Sequence, residues 1–159
     1  MGRLALLLAL CLLPSFAVAF RPFTNPLIVR GRVYCDTCRV GFETPATTYI
    51  AGVRVRLECR DRHSFEMRYT IDALTDASGT YEVTVNEDHE DEVCDAVLIR
   101  SPRPDCALLS PGRDRARVIL TRYNGIASDI SFVNSLGFMK NEALSGCTEL
   151  LQQYSELND

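Results

Sequence analysis

The chain reads as an all-β protein: about seven antiparallel strands in a sandwich or barrel, with a C-terminal amphipathic helix and three disulfides. Three observations predict this. Apolar and charged residues alternate with period two in successive segments between residues 27 and 121. Six of the seven cysteines, an even number, follow a leader-like N-terminus. The spacing of apolar residues changes to three or four only after residue 141.

The N-terminus sets the compartment. Arg3 supplies a positive start, Leu4 to Leu13 is an apolar run of ten residues, and Pro14 breaks it ahead of Ala17-Val18-Ala19. A membrane-spanning helix needs roughly twenty apolar residues, so residues 1–19 read as a secretory signal peptide cleaved after Ala19, with no membrane insertion. Removing 19 of 159 residues leaves 140, residues 20–159, which suits one domain in the extracellular space. Without Arg3, 16 basic residues face 21 acidic ones, a net charge of −5 that offers no basis for binding nucleic acid. Cys11 leaves with the leader; Cys35, Cys38, Cys59, Cys94, Cys106 and Cys147 remain for disulfides.

The strands follow in order. Leu27 to Tyr34 turns Leu27, Val29 and Val33 inward and Arg30 and Arg32 outward. Val53, Val55, Leu57 and Cys59 alternate with Arg54, Arg56 and Glu58, and the parity continues through Phe65, Met67, Tyr69, Ile71 and Ala73. Asp76-Ala77-Ser78-Gly79 is a turn, because Asp76 can bond its own backbone and Gly79 accepts a positive φ; a tight hairpin to Tyr81, Val83 and Val85 is expected. Asp95 to Arg100 is stopped by Ser101-Pro102-Arg103-Pro104, Arg115 to Thr121 forms another strand, and a seventh lies near Ile130 to Val133. From Asn141 to Leu157 the apolar set Leu144, Cys147, Leu150, Leu151, Tyr154 and Leu157 predicts a helix with Asn141 as N-cap. Gly146 weakens that helix by about 1 kcal/mol relative to alanine, so it needs docking and the tether at Cys147.

Catalytic and metal motifs are sparse. Cys35-Asp36-Thr37-Cys38 has redox spacing, but it follows a strand and no helical pattern begins behind it to stabilise a thiolate. No second Cys-x-x-Cys completes a zinc site, and His63 and His89 lack ligand spacing and fall in a hairpin tip and an acidic loop expected to be solvent-exposed. No Gly-x-Ser-x-Gly elbow is present. The sequence therefore points to no enzyme, no cofactor and no metal. The run Glu87-Asp88-His89-Glu90-Asp91-Glu92 has carboxylates for calcium but no EF-hand spacing, and reads as a solvated loop. Arg113, Arg115 and Arg117 share one face of a strand at period two, a basic stripe suited to an anionic polysaccharide or acidic partner; the plainer expectation pairs them with neighbouring acids. No N-glycosylation sequon occurs.

One segment carries a resemblance. Gly31-Arg32-Val33-Tyr34-Cys35-Asp36-Thr37-Cys38-Arg39, followed by Gly41-Phe42-Glu43-Thr44, resembles the signature of the olive major pollen allergen family, the pollen proteins of the Ole e I type. The likeness extends over the six-cysteine order, Thr75-Asp76-x-x-Gly79-x-Tyr81, the acidic run before Cys94 and residues 113–118, and within the family it is greatest to the group-eleven allergens of grass pollen. Six cysteines allow fifteen pairings; the resemblance implies Cys35–Cys106, Cys38–Cys147 and Cys59–Cys94. It further implies a secreted, non-enzymatic pollen protein connected with hydration, germination and pollen-tube growth, an allergen in many members; a monomer is expected. The resemblance implies a receptor-kinase ectodomain as partner; wall polysaccharide is the partner the arginine stripe would suit. An enzyme acting on wall polysaccharide and a purely structural matrix component are the alternatives.

Overall fold

The computed structural model describes residues 25–122, 125 and 127–156; the leader, its cleavage point and Leu157 lie outside the described residues. In chain order the strands are β1 (Leu27–Asp36), β2 (Thr48–Tyr49), β3 (Arg54–Asp61), β4 (Met67–Leu74) and β5 (Thr80–Val85), then β6 (Glu92–Arg100), β7 (Leu108–Leu109), β8 (Arg115–Val118), β9 (Ile130–Phe132) and β10 (Leu136–Met139), before the helix α1 (Cys147–Glu156). They form two sheets with the core between them, and the all-β class holds.

β1 is long enough to be shared. Its first half pairs antiparallel with β5 and parallel with β9; its second half pairs antiparallel with β2 and parallel with β10, which carries β7 on its other side. The second sheet is antiparallel throughout, in the order β4-β3-β6-β8. The first sheet is thus mixed rather than antiparallel, and the described strands exceed the expected seven. Two-residue strands such as β2 and β7 are too short to show alternation, and strand direction is set by the connections, which periodicity does not report.

Two pairs of tyrosine and glycine let the sheet close around β1. Gly31 lies opposite Tyr81 on β5, and Tyr34 lies opposite Gly137 on β10. In each case the ring covers the glycine: a Cβ on Gly137 would fall 2.7 Å from Tyr34 Cζ, and one on Gly31 would enter the Tyr81 ring. Burial raises the Tyr81 phenol above its usual range, as expected for a hydroxyl with no hydrogen-bond partner.

The 76–79 turn forms, but it does not close a hairpin. Asp76 Oδ1 accepts from the backbone of Ser78 and Thr80 at 2.8 and 3.0 Å, and Gly79 has φ +74°, yet the chain passes from β4 in one sheet to β5 in the other. Thr75 makes the crossing: its buried hydroxyl donates to Ile50 O at 2.6 Å and accepts from Val53 N at 2.9 Å. Tertiary bonding to the 50–53 loop outweighs the local preference for a hairpin.

Phe65 also departs from its expected inward place. Asp61 Oδ1 accepts from the backbone of His63 and Ser64 at 2.9 and 2.8 Å, which tightens the 62–66 tip and holds Phe65 at φ 58°, 67% exposed. The inward parity resumes with Tyr69, Ile71 and Ala73, which pack on the core.

The disulfides join Cys35 to Cys106, Cys38 to Cys147 and Cys59 to Cys94. The first two anchor the end of β1 to the Pro-rich loop and to α1. The helix starts at Cys147 rather than Asn141, because the preceding residues spend their polar groups elsewhere. Asn141 N donates to Asp105 O at 2.9 Å, Asn141 Nδ2 to Pro104 O at 3.2 Å, and Leu144 N to Thr37 O at 3.0 Å. Asn141 is therefore not the N-cap, and Gly146 lies just ahead of the helix instead of weakening its interior. Phe42 meets Tyr154 edge-on at 5.8 Å, a second point of docking.

Two predictions follow from these contacts. Gly79→Ala would hold a Cβ at positive φ, 2.9 Å from Val33 O and 3.1 Å from Ile50 N; urea denaturation should show a loss of about 1–3 kcal/mol. Four carboxyls sit below their ordinary range. Backbone N–H groups of Ser64 and His63 hold Asp61 at about 2, Arg103 and Lys140 depress Asp105, Arg56 depresses Asp72, and Ser78 with Thr80 depresses Asp76. Their contribution is fully present above the unfolded value near 4 and is lost as pH falls through the folded values. The urea midpoint should therefore decline below about pH 4, and less steeply in Asp105→Asn than in the parent.

Candidate functional site

Cys59 and Cys94 face each other across β3 and β6, with Cα atoms 4.0 Å apart. Alternation along both strands turns their sulfurs toward the core, and both residues are buried. The 86–91 loop then brings a third group to them.

That loop behaves as expected in its acids and not in its histidine. Glu87, Asp88, Glu90 and Asp91 are exposed, whereas the His89 side chain is 2% exposed. Both flanks of the loop are pinned: Arg122 N donates to Asp88 Oδ2 at 3.2 Å, and Arg62 gives its backbone N–H to Asp91 O and its guanidinium to Glu90 O at 3.2 and 3.0 Å. The His89 backbone N–H reaches Leu120 O at 2.9 Å, and Glu92 N returns to His89 O at 3.0 Å. With its ends tied outward, the loop turns the imidazole inward. Nδ1 lies 2.9 Å from Glu92 Oε2, the ring tilts against Tyr69 with centroids 4.8 Å apart, and Nε2 is buried with no hydrogen-bond partner.

One donor atom each from Cys59, His89, Glu92 and Cys94 lies within 4.8 Å of the others. His89, Glu92, Cys94 and Arg117 also line a recess of about 340 Å³ that opens to solvent between the acidic loop and the end of β8. In the disulfide-bonded protein the sulfurs are committed to each other, leaving an orienting His–Glu pair beside them. Sequence reading missed this group because Cys59 is distant in the chain; the local signal was the spacing His89-x-x-Glu92-x-Cys94.

The other candidate residues separate. Arg115 and Arg117 share a face of β8, and both turn to Asp95 of β6, Arg117 Nε at 2.7 Å and Arg115 Nη1 at 3.7 Å. Arg113 belongs to the preceding turn, not to the strand, and its Nε donates to Gly41 O at 2.9 Å. The three arginines thus form no continuous stripe: a carboxylate and a carbonyl hold them in place. His63 lies exposed at the hairpin tip. Cys35 and Cys38 bond to separate elements, and between them Asp36 is fully buried, its carboxylate accepting from Cys38 N at 3.2 Å and Gly41 N at 2.6 Å. That carboxylate shapes the loop of the Cys-x-x-Cys segment.

His89→Ala should remove the contact with Tyr69 and leave Glu92 without its partner; urea denaturation should show a loss of about 2–3 kcal/mol. Glu92→Gln retains a hydrogen-bonding group and should lose less than about 1 kcal/mol.

Comparison with known proteins agrees with this architecture. Residues 25–155 match the family model described as pollen protein Ole e 1 like. The chain is 44% identical over 155 residues to the pollen-specific protein C13 of Zea mays, covering 98% of this chain and 91% of that one. It is 39% identical over 152 residues to the anther-specific protein LAT52 of Solanum lycopersicum, covering 94% and 92%. The crystal structure of the major plantain pollen allergen Pla l 1 superposes with a TM-score of 0.68 at 31% identity, covering 77% of this chain and 99% of that one. With the family model matching residues 25–155 and the relatives sharing nearly the whole chain, the chain belongs to the Ole e 1-like family of pollen proteins.

Proposed function

We propose that the chain is a secreted, non-enzymatic pollen protein that acts as an extracellular ligand in pollen hydration, germination and tube growth, and that it is an allergen when inhaled. The observation that carries this reading is near full-length similarity to proteins named pollen-specific and anther-specific, at 44% and 39% identity. The leader, with no membrane-spanning helix among the described residues, supports export.

A surface suited to a protein partner supports the ligand role. Phe132 on β9 is 75% exposed, and Ile119, whose carbonyl accepts from Ser131 Oγ at 2.9 Å, is 52% exposed. Arg30 lines the same recess as Phe132, its guanidinium Nε held by Glu82 at 2.8 Å. An exposed aromatic beside a positioned arginine is the composition of an interface hot spot. A receptor-kinase ectodomain is the proposed partner.

The test is a pull-down of pollen-tube membrane ectodomains with the mature protein. Capture should fall at least tenfold in Phe132→Glu and stay unchanged in His63→Ala, which lies at the hairpin tip. Equal capture by all three proteins would move the interface elsewhere. Retention on wall polymer without any captured ectodomain would favour a matrix component.

A further inference from the structure

We propose that the Cys59–Cys94 disulfide is the closed state of a zinc site, which opens on reduction and binds the ion through both cysteine sulfurs, His89 and Glu92. This does not depend on the ligand role above. Three observations carry it. The four residues place one donor atom each within 4.8 Å of one another. His89 Nε2 is buried without a hydrogen-bond partner, although a buried imidazole nitrogen ordinarily has one. Cys94, His89 and Glu92 line a recess that opens to solvent, which leads from the surface toward the buried sulfurs.

The chemistry of the donors selects the ion. Two thiolates, an imidazole and a carboxylate suit the tetrahedral coordination of Zn²⁺, whereas calcium requires an oxygen shell. Donors bound at about 2.0–2.3 Å to one tetrahedral ion stand about 3.3–3.8 Å apart, so the cluster closes with small side-chain movements. The sulfurs must separate, and their place on adjacent strands lets them do so by side-chain rotation. In the disulfide-bonded state Glu92 Oε2 lies on Nδ1; when Nε2 takes the ion, the carboxylate turns away from the ring to become the fourth ligand.

The redox step balances with a dithiol as reductant. Its thiolate attacks one sulfur of the Cys59–Cys94 bond, and its second thiol resolves the mixed disulfide. The dithiol leaves as its own disulfide, having given two electrons, and Cys59 and Cys94 become thiols. Their two protons are released as Zn²⁺ binds. Cys35–Cys106 and Cys38–Cys147 have no such donor set around them among the described residues.

The experiment titrates the mature protein with a phosphine, which reduces disulfides without binding zinc through sulfur, in the presence of Zn²⁺ or Co²⁺. Alkylation and peptide mapping follow each disulfide while metal content is measured. Metal uptake should reach one ion per chain and track the opening of Cys59–Cys94, whichever disulfide opens first. Zinc should protect Cys59 and Cys94 from alkylation, and cobalt should show thiolate charge-transfer and tetrahedral d–d bands. His89→Ala and His89→Phe, each verified as folded by near-ultraviolet circular dichroism before reduction, should bind at least about tenfold more weakly. The Phe variant keeps the packing against Tyr69 if the Ala variant is unstable. Uptake that follows the opening of another disulfide, absence of uptake once Cys59 and Cys94 are free, or unchanged affinity without His89 would overturn the proposal.

Discussion

The complete enclosure of the second half of β1 is the constraint on which the structure depends. From Val33 to Asp36 this strand is buried on both faces, with β10 along one edge throughout and β2 beside Tyr34 and Cys35 on the other. A strand covered on every side leaves no room for ordinary side-chain packing at each position. Tyr34 is therefore matched by a glycine, Gly137, and the single charged residue in this stretch, Asp36, has its carboxylate bonded to two backbone N–H groups. Both Cys35 and Cys38, on or just past the end of the strand, then serve as anchor points.

Covalent anchoring at that end compensates for what surrounds it. Beyond β1 lie two-residue strands, a Pro-rich loop and a ten-residue helix, none of which would persist alone. Cys35–Cys106 and Cys38–Cys147 close spans of 71 and 109 residues, and loops of that size carry about 4–5 kcal/mol each in the chain-entropy account. That is comparable with the whole stability of a small domain. The Cys59–Cys94 bond has a different setting: it links two strands already paired along their length, so its bond is the least needed for holding the sheet together.

Part of the surface charge is paired within the fold. Asp72 takes Arg56, Asp95 takes Arg117 and Arg115, and Asp105 takes Arg103 and Lys140. Exposed pairs of this kind stabilise little, but they commit Arg115 and Arg117 to Asp95 rather than to a polyanion. The unspent features are of other types: exposed apolar side chains on β9 and the hairpin tip, and the buried imidazole beside a disulfide.

How much was legible in the chain depends on the range of the interaction. Period-two alternation located β3, β4, β5 and the first half of β1, because a half-buried strand must alternate whatever it pairs with. The Asp76–Gly79 turn was legible for the same local reason, as only glycine carries its positive φ without strain. Partners were not legible. The crossing from β4 to β5 depends on Thr75 meeting a loop more than twenty residues earlier, the parallel course of β9 and β10 on long connections, and the late start of α1 on bonds from Asn141 and Leu144 to distant carbonyls. His89 is the sharpest instance: five of the six residues from Glu87 to Glu92 are acidic, and the run reads as solvent-exposed. The pinning of that loop by Arg62 and Arg122, remote in sequence, is what buries the ring against Tyr69 and the Cys59–Cys94 bond. By itself the sequence determined the class of fold and the faces of the longer strands, since these follow from local stereochemistry and hydrophobic period, whereas the disulfide pairing was legible only through the family resemblance. Tertiary structure alone decided strand direction, sheet membership and the grouping of His89 with Glu92 and two cysteines, because those require contacts between segments whose separation no local pattern encodes.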